Sequence, residues 1–428
     1  MGARAAVLVT GTEVLTGRVP DANGPWLAEH LRRLGVDVGT VVTVGDRPDD
    51  LATSLRHLLA GHDLVVTTGG LGPTADDLTV EVVADVLGRP LTLDEALEAR
   101  VGAVVARIVA ARGWRTPQAE LDAGTRKQAL VPEGAHVLEP VGTAPGLVLT
   151  PAAGGPPVVV LPGPPTELQQ MWPAAEALDV VRRALGLDGA APALRQETVR
   201  LTGPPEAELA GVLREHEERH GPLTEAGLEV TTCLREGDLE VVTRFRDDAA
   251  AAYEQLVSAV TARFGDAVYS TDGSRVDDLV AAGLRRRGWT VSTAESCTAG
   301  LLAGRLADVP GSSEYLLGGV VSYADEVKRD LLGVPADLLA RHGAVSEEVA
   351  VAMAEGVRSR LGTTLGVSVT GIAGPGGARP GKPVGLVHVA VAGPDGTDAH
   401  RWQLSGGRPH VRARTVVRCL HLLRRAVG

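Results

Sequence analysis

Three segments near the end of the chain supply a nucleophile, a base and a ligand-cradling loop, in that order. The run Thr290-Val-Ser-Thr-Ala-Glu-Ser-Cys-Thr-Ala-Gly300 leads a strand into a helix expected to begin near Thr298, which puts Ser296 on the turn between them. Backbone N–H groups at such a turn lack intrahelical partners and are free to hold an oxyanion. Serine is also a favoured helix cap, and Cys297 beside it is either a rival nucleophile or a small buried apolar residue. The next segment, Val320-Val-Ser-Tyr-Ala-Asp-Glu-Val-Lys328, runs from strand into helix and offers Tyr323 and Lys328 one helical turn apart. A serine hydroxyl needs a base, and in the absence of a suitable histidine a neutral lysine serves. Composition singles out this lysine. Of 42 basic residues only Lys127, Lys328 and Lys382 are not arginine. Arginine cannot give up its proton, so a lysine kept against that bias marks a place where arginine would fail. The competing reading is a surface lysine lying along apolar neighbours. The third segment, Thr370-Gly-Ile-Ala-Gly-Pro-Gly-Gly377, follows a strand expected at 364–369, and Lys382-Pro-Val-Gly385 opens another. Glycine-rich loops cradle phosphate with their amides, although most are only turns; here the set of three carries the weight.

A second constellation lies near the start. Thr67-Thr-Gly-Gly-Leu-Gly-Pro-Thr-Ala-Asp-Asp-Leu-Thr79 couples Gly69 and Gly70 to the carboxylates Asp76 and Asp77, with a helix expected from about Asp77. Glycines allow close approach to the backbone, and a helix N-terminus favours phosphate. The two carboxylates suit a hard divalent cation, or one of them caps the helix. Gly142-Thr-Ala-Pro-Gly146, with Thr143, and Leu161-Pro-Gly-Pro-Pro-Thr-Glu167 add a second loop and another carboxylate. Asn23 is the sole asparagine. Lys127 contacts either a ligand phosphate or a loop carbonyl.

The elements that must position these groups alternate. Strands are expected at 5–10, 36–44, 63–68 and 158–161, with helices at 22–34 and 49–60; this βαβ order implies a parallel sheet with ligands at its C-terminal edge. Near Pro192 the pattern changes. Strands at 194–201, 228–234 and 239–244 and helices at 205–217 and 249–264 form a small α+β unit without a catalytic cluster, read as a spacer or dimerisation module. Alternation resumes at Val276 and ends in a helix at 409–426 with one Leu/Val face and one Arg-rich face. The fold class is α/β throughout, with that one α+β insertion. A chain of 428 residues with 44% hydrophobic and 3% aromatic content makes its core from Val, Leu and Ala. The net charge of −11 offers no electrostatic ground for a nucleic-acid partner. Three cysteines without a CxxC pair argue against structural zinc and disulfides, and no apolar run reaches membrane-spanning length. A cytoplasmic protein with no membrane partner is expected.

Together, AESCTAG, SYADEVK, the Gly343–Ser346 segment GAVS, TGIAGPGG and KPVG closely resemble the C-terminal domain of the CinA family, over residues 274–428. That resemblance implies an α/β/α domain that hydrolyses the carboxamide of nicotinamide mononucleotide, giving nicotinic acid mononucleotide and ammonia without a cofactor. It makes Ser296 the nucleophile, Lys328 the base and Tyr323 an assistant. It assigns Thr298, Gly300, Thr370, Gly371, Gly374 and Lys382 to substrate binding. Ala299 stands where many relatives carry glycine, and is read as part of a helical first turn. Residues 1–175 resemble the MoaB-like, molybdopterin-binding α/β/α fold of full-length CinA proteins. Some of these hydrolyse ADP-ribose with a divalent metal such as Mg. Carried over, this implies a ligand site of Asn23, Gly69, Gly70, Asp76, Asp77, Thr143 and Glu167, with Asp76 and Asp77 on the metal. Thr12 and Glu139 depart from the Asp and Asn often found at their positions. Residues 190–268 correspond to a KH-like linking domain, but they are acidic and lack the GxxG loop that RNA binding needs. The expected partners are small nucleotides, and the expected assembly is a homodimer. The alternatives to the amidase are the ADP-ribose pyrophosphatase, which can coexist with it, and a non-enzymatic binding protein.

Overall fold

Strand β1 (Arg4–Thr10) is buried at every position after the first, as a strand covered on both faces must be. Its side chains alternate between two cores. Ala5, Val7 and Val9 face Leu27, Leu31 and Trp172 of the helices Asn23–Arg33 and Pro165–Glu176, while Ala6 and Leu8 face Leu55, Val83 and Leu97 from three helices on the opposite side. The result is three layers, α/β/α. The computed structural model describes residues 3–188 and 195–428, so the expected boundary at Pro192 and the first residue of the strand expected at 194–201 lie outside the described residues.

The described residues fall into two compact units, Met1–Gln196 with Arg246–Asp248, and Glu197–Phe245 with Ala249–Gly428. In the first, β1 is joined by β2 (Asp37–Val44), β3 (Leu64–Thr68), β4 (Leu91–Leu93), β5 (Leu130–Pro132), β6 (His136–Leu138), β7 (Gly146–Leu149) and β8 (Val158–Leu161). The main sheet runs β2-β1-β3-β8-β7-β6. It is parallel through β8, but β7 and β6 are antiparallel, so the wholly parallel expectation is corrected. The segments joining β6 to β7 and β7 to β8 are too short to hold the crossover helix that parallel neighbours require.

The second unit opens with β9 (Arg195–Thr202), β10 (Glu229–Arg235), β11 (Asp238–Phe245) and β12 (Val268–Ser270), a sheet of order β10-β11-β9-β12. Helices Glu206–His220 and Ala250–Phe264 share its core through Leu209, Val212, Leu256 and Val260. Then follow β13 (Val291–Glu295), β14 (Leu316–Val321), β15 (Leu365–Gly371), β16 (Leu386–Gly393) and β17 (Gly396–Gln403), in the order β14-β13-β15-β16-β17. Here too the last two strands are antiparallel, joined by the tight turn at Gly393-Pro-Asp-Gly396. One face packs Val367, Val369, Val387 and Val389 on the helices Val276–Arg287 and Arg408–Val427. The other is lined with Gly366, Ala390 and Ala392, and these small residues let helix Glu347–Leu361 approach through its own Ala350 and Ala354.

Candidate active site

Strands β14, β13 and β15 are parallel neighbours, and Glu295 is in register with Val321 on one side and Val369 on the other. Ser296, Ser322 and Thr370 therefore follow side by side at the C-terminal edge of the sheet, where ligands of such folds bind. The half-buried Ser296 donates its backbone N–H to the Val369 carbonyl at 2.8 Å, which pins the turn to β15. The helix begins at Leu301, three residues later than expected. The cause is Glu295. This carboxylate, 1% exposed, folds back and accepts from the amides of Gly300, Leu302 and Ala303 at 3.0, 3.0 and 2.8 Å. Most of the amides expected to be free are thus occupied. The N–H groups of Cys297 and Thr298 remain without an oxygen acceptor among the described residues.

Ala299 is not in a helical first turn. Its φ is 52°, in the left-handed region, and Gly300 follows at 91°. The methyl group at this position is therefore a strained one. Cys297 is 4% exposed, and burial pushes its thiol up to about 11, so it stays protonated at neutral pH and the rival nucleophile is set aside.

Lys328, on helix Asp325–Leu332, is 1% exposed. Its ammonium donates to the Tyr323 carbonyl at 3.2 Å and to Asp325 Oδ1 at 3.4 Å; no hydrogen bond joins it to Ser296 Oγ among the described residues. The snorkelling surface lysine is thereby excluded. Tyr323 precedes the helix rather than lying one turn along it; it is half exposed, and its hydroxyl accepts from Arg408 Nη2 at 2.7 Å. Thr370 Oγ1 donates to the Ala344 carbonyl at 2.7 Å, tying the GAVS segment to β15. Lys382 donates to the His342 carbonyl at 2.5 Å, so its ammonium braces a loop. Gly371 lies flat against Leu386 and Val387, and Gly374, at φ 85°, against Val384; neither place admits a side chain without displacement.

Two groups were not foreseen. Arg408 bonds both Tyr323 and the Gly374 carbonyl (3.1 Å), and Arg412 Nη2 donates to the Thr298 carbonyl at 2.8 Å. Both lie at the start of the last helix, whose positive dipole end disfavours cations, and that unfavourable placement was the available signal. Arg412 Nε and Thr298 Oγ1 are buried and without a partner, the pattern of a site that awaits a ligand.

In the first unit, Asn23, Gly69, Gly70, Asp76, Asp77, Thr143 and Glu167 all line one cleft of about 500 Å³. Asn23 Nδ2 bridges the Thr68 hydroxyl (2.9 Å) and the Gly163 carbonyl (2.7 Å) at the ends of β3 and β8, while its Oδ1 is buried without a partner. Gly69, at φ 104°, lies against the Thr10 carbonyl. The helix starts at Thr79, and Asp77 accepts from the Thr74 amide (2.9 Å) and hydroxyl (2.5 Å), which leaves one oxygen for anything else. Burial raises the Glu167 carboxyl above its usual range. Lys127 holds the Thr74 carbonyl, the loop-bracing alternative. Glu139 pairs with Arg100 at 3.5 Å and does not line the cleft. Thr12 exchanges hydrogen bonds with Asp46, a cleft carboxylate that the sequence did not single out. Among the described residues no three His, Cys, Asp or Glu side chains stand together in a way that could hold a metal ion.

Comparison with known proteins matches both halves of the chain to known families. Residues 274–427 match the CinA C-terminal domain family, and residues 6–178 match a probable molybdopterin binding domain. The chain is 54% identical over 430 residues to a CinA-like protein of Mycolicibacterium gilvum, across 100% of this chain and 99% of that one. It is 48% identical over 436 residues to a CinA-like protein of Mycobacterium tuberculosis, across 100% and 98%. Among solved structures, the competence/damage inducible protein CihA of Agrobacterium tumefaciens is 41% identical over 36% of this chain and 94% of that chain, with a TM-score of 0.34. The extent of the sequence matches settles the family. This chain belongs to the CinA family.

Proposed function

We propose that the C-terminal domain is a nicotinamide-nucleotide amidase. The observation that carries the reading is the meeting of Ser296, Ser322 and Thr370 at the ends of three adjacent parallel strands, with Tyr323 next in sequence and Lys328 buried just beyond. In this reaction Ser296 Oγ attacks the carboxamide carbon of nicotinamide mononucleotide. As the carbonyl oxygen gains negative charge, the Cys297 and Thr298 amides, which have no oxygen acceptor among the described residues, donate to it. Lys328, acting as the neutral amine, takes the serine proton and passes it to the departing nitrogen, which leaves as ammonia. Water then cleaves the acyl-serine ester, releasing nicotinic acid mononucleotide and restoring the hydroxyl. Lys328 must exchange its contact with Asp325 for one with Ser296, a tightening that substrate binding commonly supplies. Arg408 and Arg412 bring positive charge for an anionic nucleotide and suit its phosphate geometry. The test is ammonia release from nicotinamide mononucleotide: Ser296→Ala and Lys328→Arg each abolish it while the protein stays folded. Full activity in Lys328→Arg would remove the lysine from the base role, because arginine keeps the charge but cannot accept a proton.

The N-terminal cleft supports a second, coexisting reading, metal-dependent hydrolysis of ADP-ribose. Its support is the gathering of seven expected residues around one cavity with an unpartnered Asn23 oxygen. Mg needs only one or two protein carboxylates when substrate phosphates complete its shell. Asp76 and the remaining oxygen of Asp77 fit that requirement; the metal, when bound, would polarise the pyrophosphate.

A further inference from the structure

The tip of the β10–β11 hairpin reads Arg235-Glu236-Gly237-Asp238. Arg235 pairs with Asp238, so the loop is two residues long, and both are left-handed, Glu236 at φ 56° and Gly237 at 104°. Such turns favour Asn or Gly in the first place, because a longer side chain gains nothing there and strains the backbone. Here a glutamate is retained, and it reaches out of its own sheet. Arg305 Nη2 donates to Glu236 Oε2 at 2.8 Å and to Oδ2 of the buried Asp277 at 3.0 Å, and Arg305 Nε donates to Asp277 Oδ1. Arg305 lies on Leu301–Ala307, the helix that follows the Ser296 turn. Two residues beyond Glu236, the buried Asp238 carboxylate accepts from His421 Nε2 at 2.9 Å and from the Tyr269 hydroxyl at 3.0 Å. The buried His421 lies on Arg408–Val427, the helix that delivers Arg408 and Arg412.

We propose that this four-residue turn is a positioning element of the amidase site. Glu236 and Asp238 tie Arg305 and His421, and so fix the spacing between the helix behind Ser296 and the helix bearing the two arginines. The proposal rests on the amidase reading of Ser296. The Asp238–His421 contact is buried while Glu236 is half exposed; neither kind of pair adds much net stability, and what they supply is a fixed geometry. The bond most sensitive to that spacing is Arg412 to the Thr298 carbonyl, since it joins the two elements inside the site.

The test uses the full-length protein. Glu236→Asn places a residue that such turns prefer, so the hairpin stays folded while Arg305 loses its partner across the turn. Asp238→Asn keeps the shape and removes the charge. Each is expected to raise KM for nicotinamide mononucleotide about three- to tenfold, the size of effect seen when a coupled contact is removed, with kcat changed less. Amide hydrogen exchange at Leu302 and Ala303 is expected to quicken. Glu236→Asn combined with Arg305→Gln should be less than additive on kcat/KM, because both break one contact. Wild-type KM and exchange in the Glu236→Asn, Asp238→Asn double variant would overturn the proposal. A wild-type protein that releases no ammonia would instead overturn the amidase reading, and the exchange rates would still decide whether the turn holds the two helices.

Discussion

Ala299 holds a left-handed backbone at a cost. A left-handed alanine is strained by about 1–2 kcal/mol, while a glycine there would give back about 0.4–1 kcal/mol through the freer unfolded chain. Ala299→Gly should therefore stabilise the protein by roughly 0.5 kcal/mol. A denaturant midpoint that rises at constant slope is the expected result; an unchanged or lower midpoint would show that the turn is relaxed with its methyl group. At the same scale, the sequence singles out Ser296 and Lys328 as candidates because each sits in a strand-to-helix segment whose local pattern is plain. The hydrogen bonds of Lys328 were not legible there. Its ammonium finds the Tyr323 carbonyl and Asp325 because the start of its helix folds around it, and side-chain direction follows from packing rather than spacing.

The element that organises the proposed amidase site is the turn between β13 and Leu301–Ala307, and its organiser is Glu295. A buried carboxylate that accepts three backbone amides works as the cap of this helix from within the preceding strand. Glu295→Gln keeps the shape but replaces charge-assisted bonds with neutral ones and turns a donor toward donors. The expected loss of stability is about 2 kcal/mol, with kcat lowered because the Ser296 turn is freed. Urea titration and ammonia release on the same preparation check both parts; a stable variant with normal kcat would show that the turn holds itself. The antiparallel strands belong to this scale as well. The Gly393-Pro-Asp-Gly396 turn was visible in the sequence, but a βαβ reading absorbed it, since a buried strand looks alike whichever way its neighbour runs.

At the scale of the whole molecule, the two proposed sites differ in chemistry, and a chelator should separate them. With the metal removed, hydrolysis of ADP-ribose is expected to stop while ammonia release from nicotinamide mononucleotide continues unchanged; loss of both would tie the amidase to a metal. No helix among the described residues is long and apolar enough to cross a membrane. The α/β class was determined by the sequence alone, and so were the three segments proposed to carry the amidase, because strand, turn and helix signals are local and the glycine loops mark the edge where ligands approach. What only the tertiary structure decided is which distant groups meet there. Arg408 and Arg412 lie more than a hundred residues beyond Ser296, Glu295 turns inward instead of outward, and Asp46 joins the other cleft through Thr12. Each outcome depends on which helix face the sheet buries and on which strand ends lie side by side, and those are properties of packing that no local segment encodes.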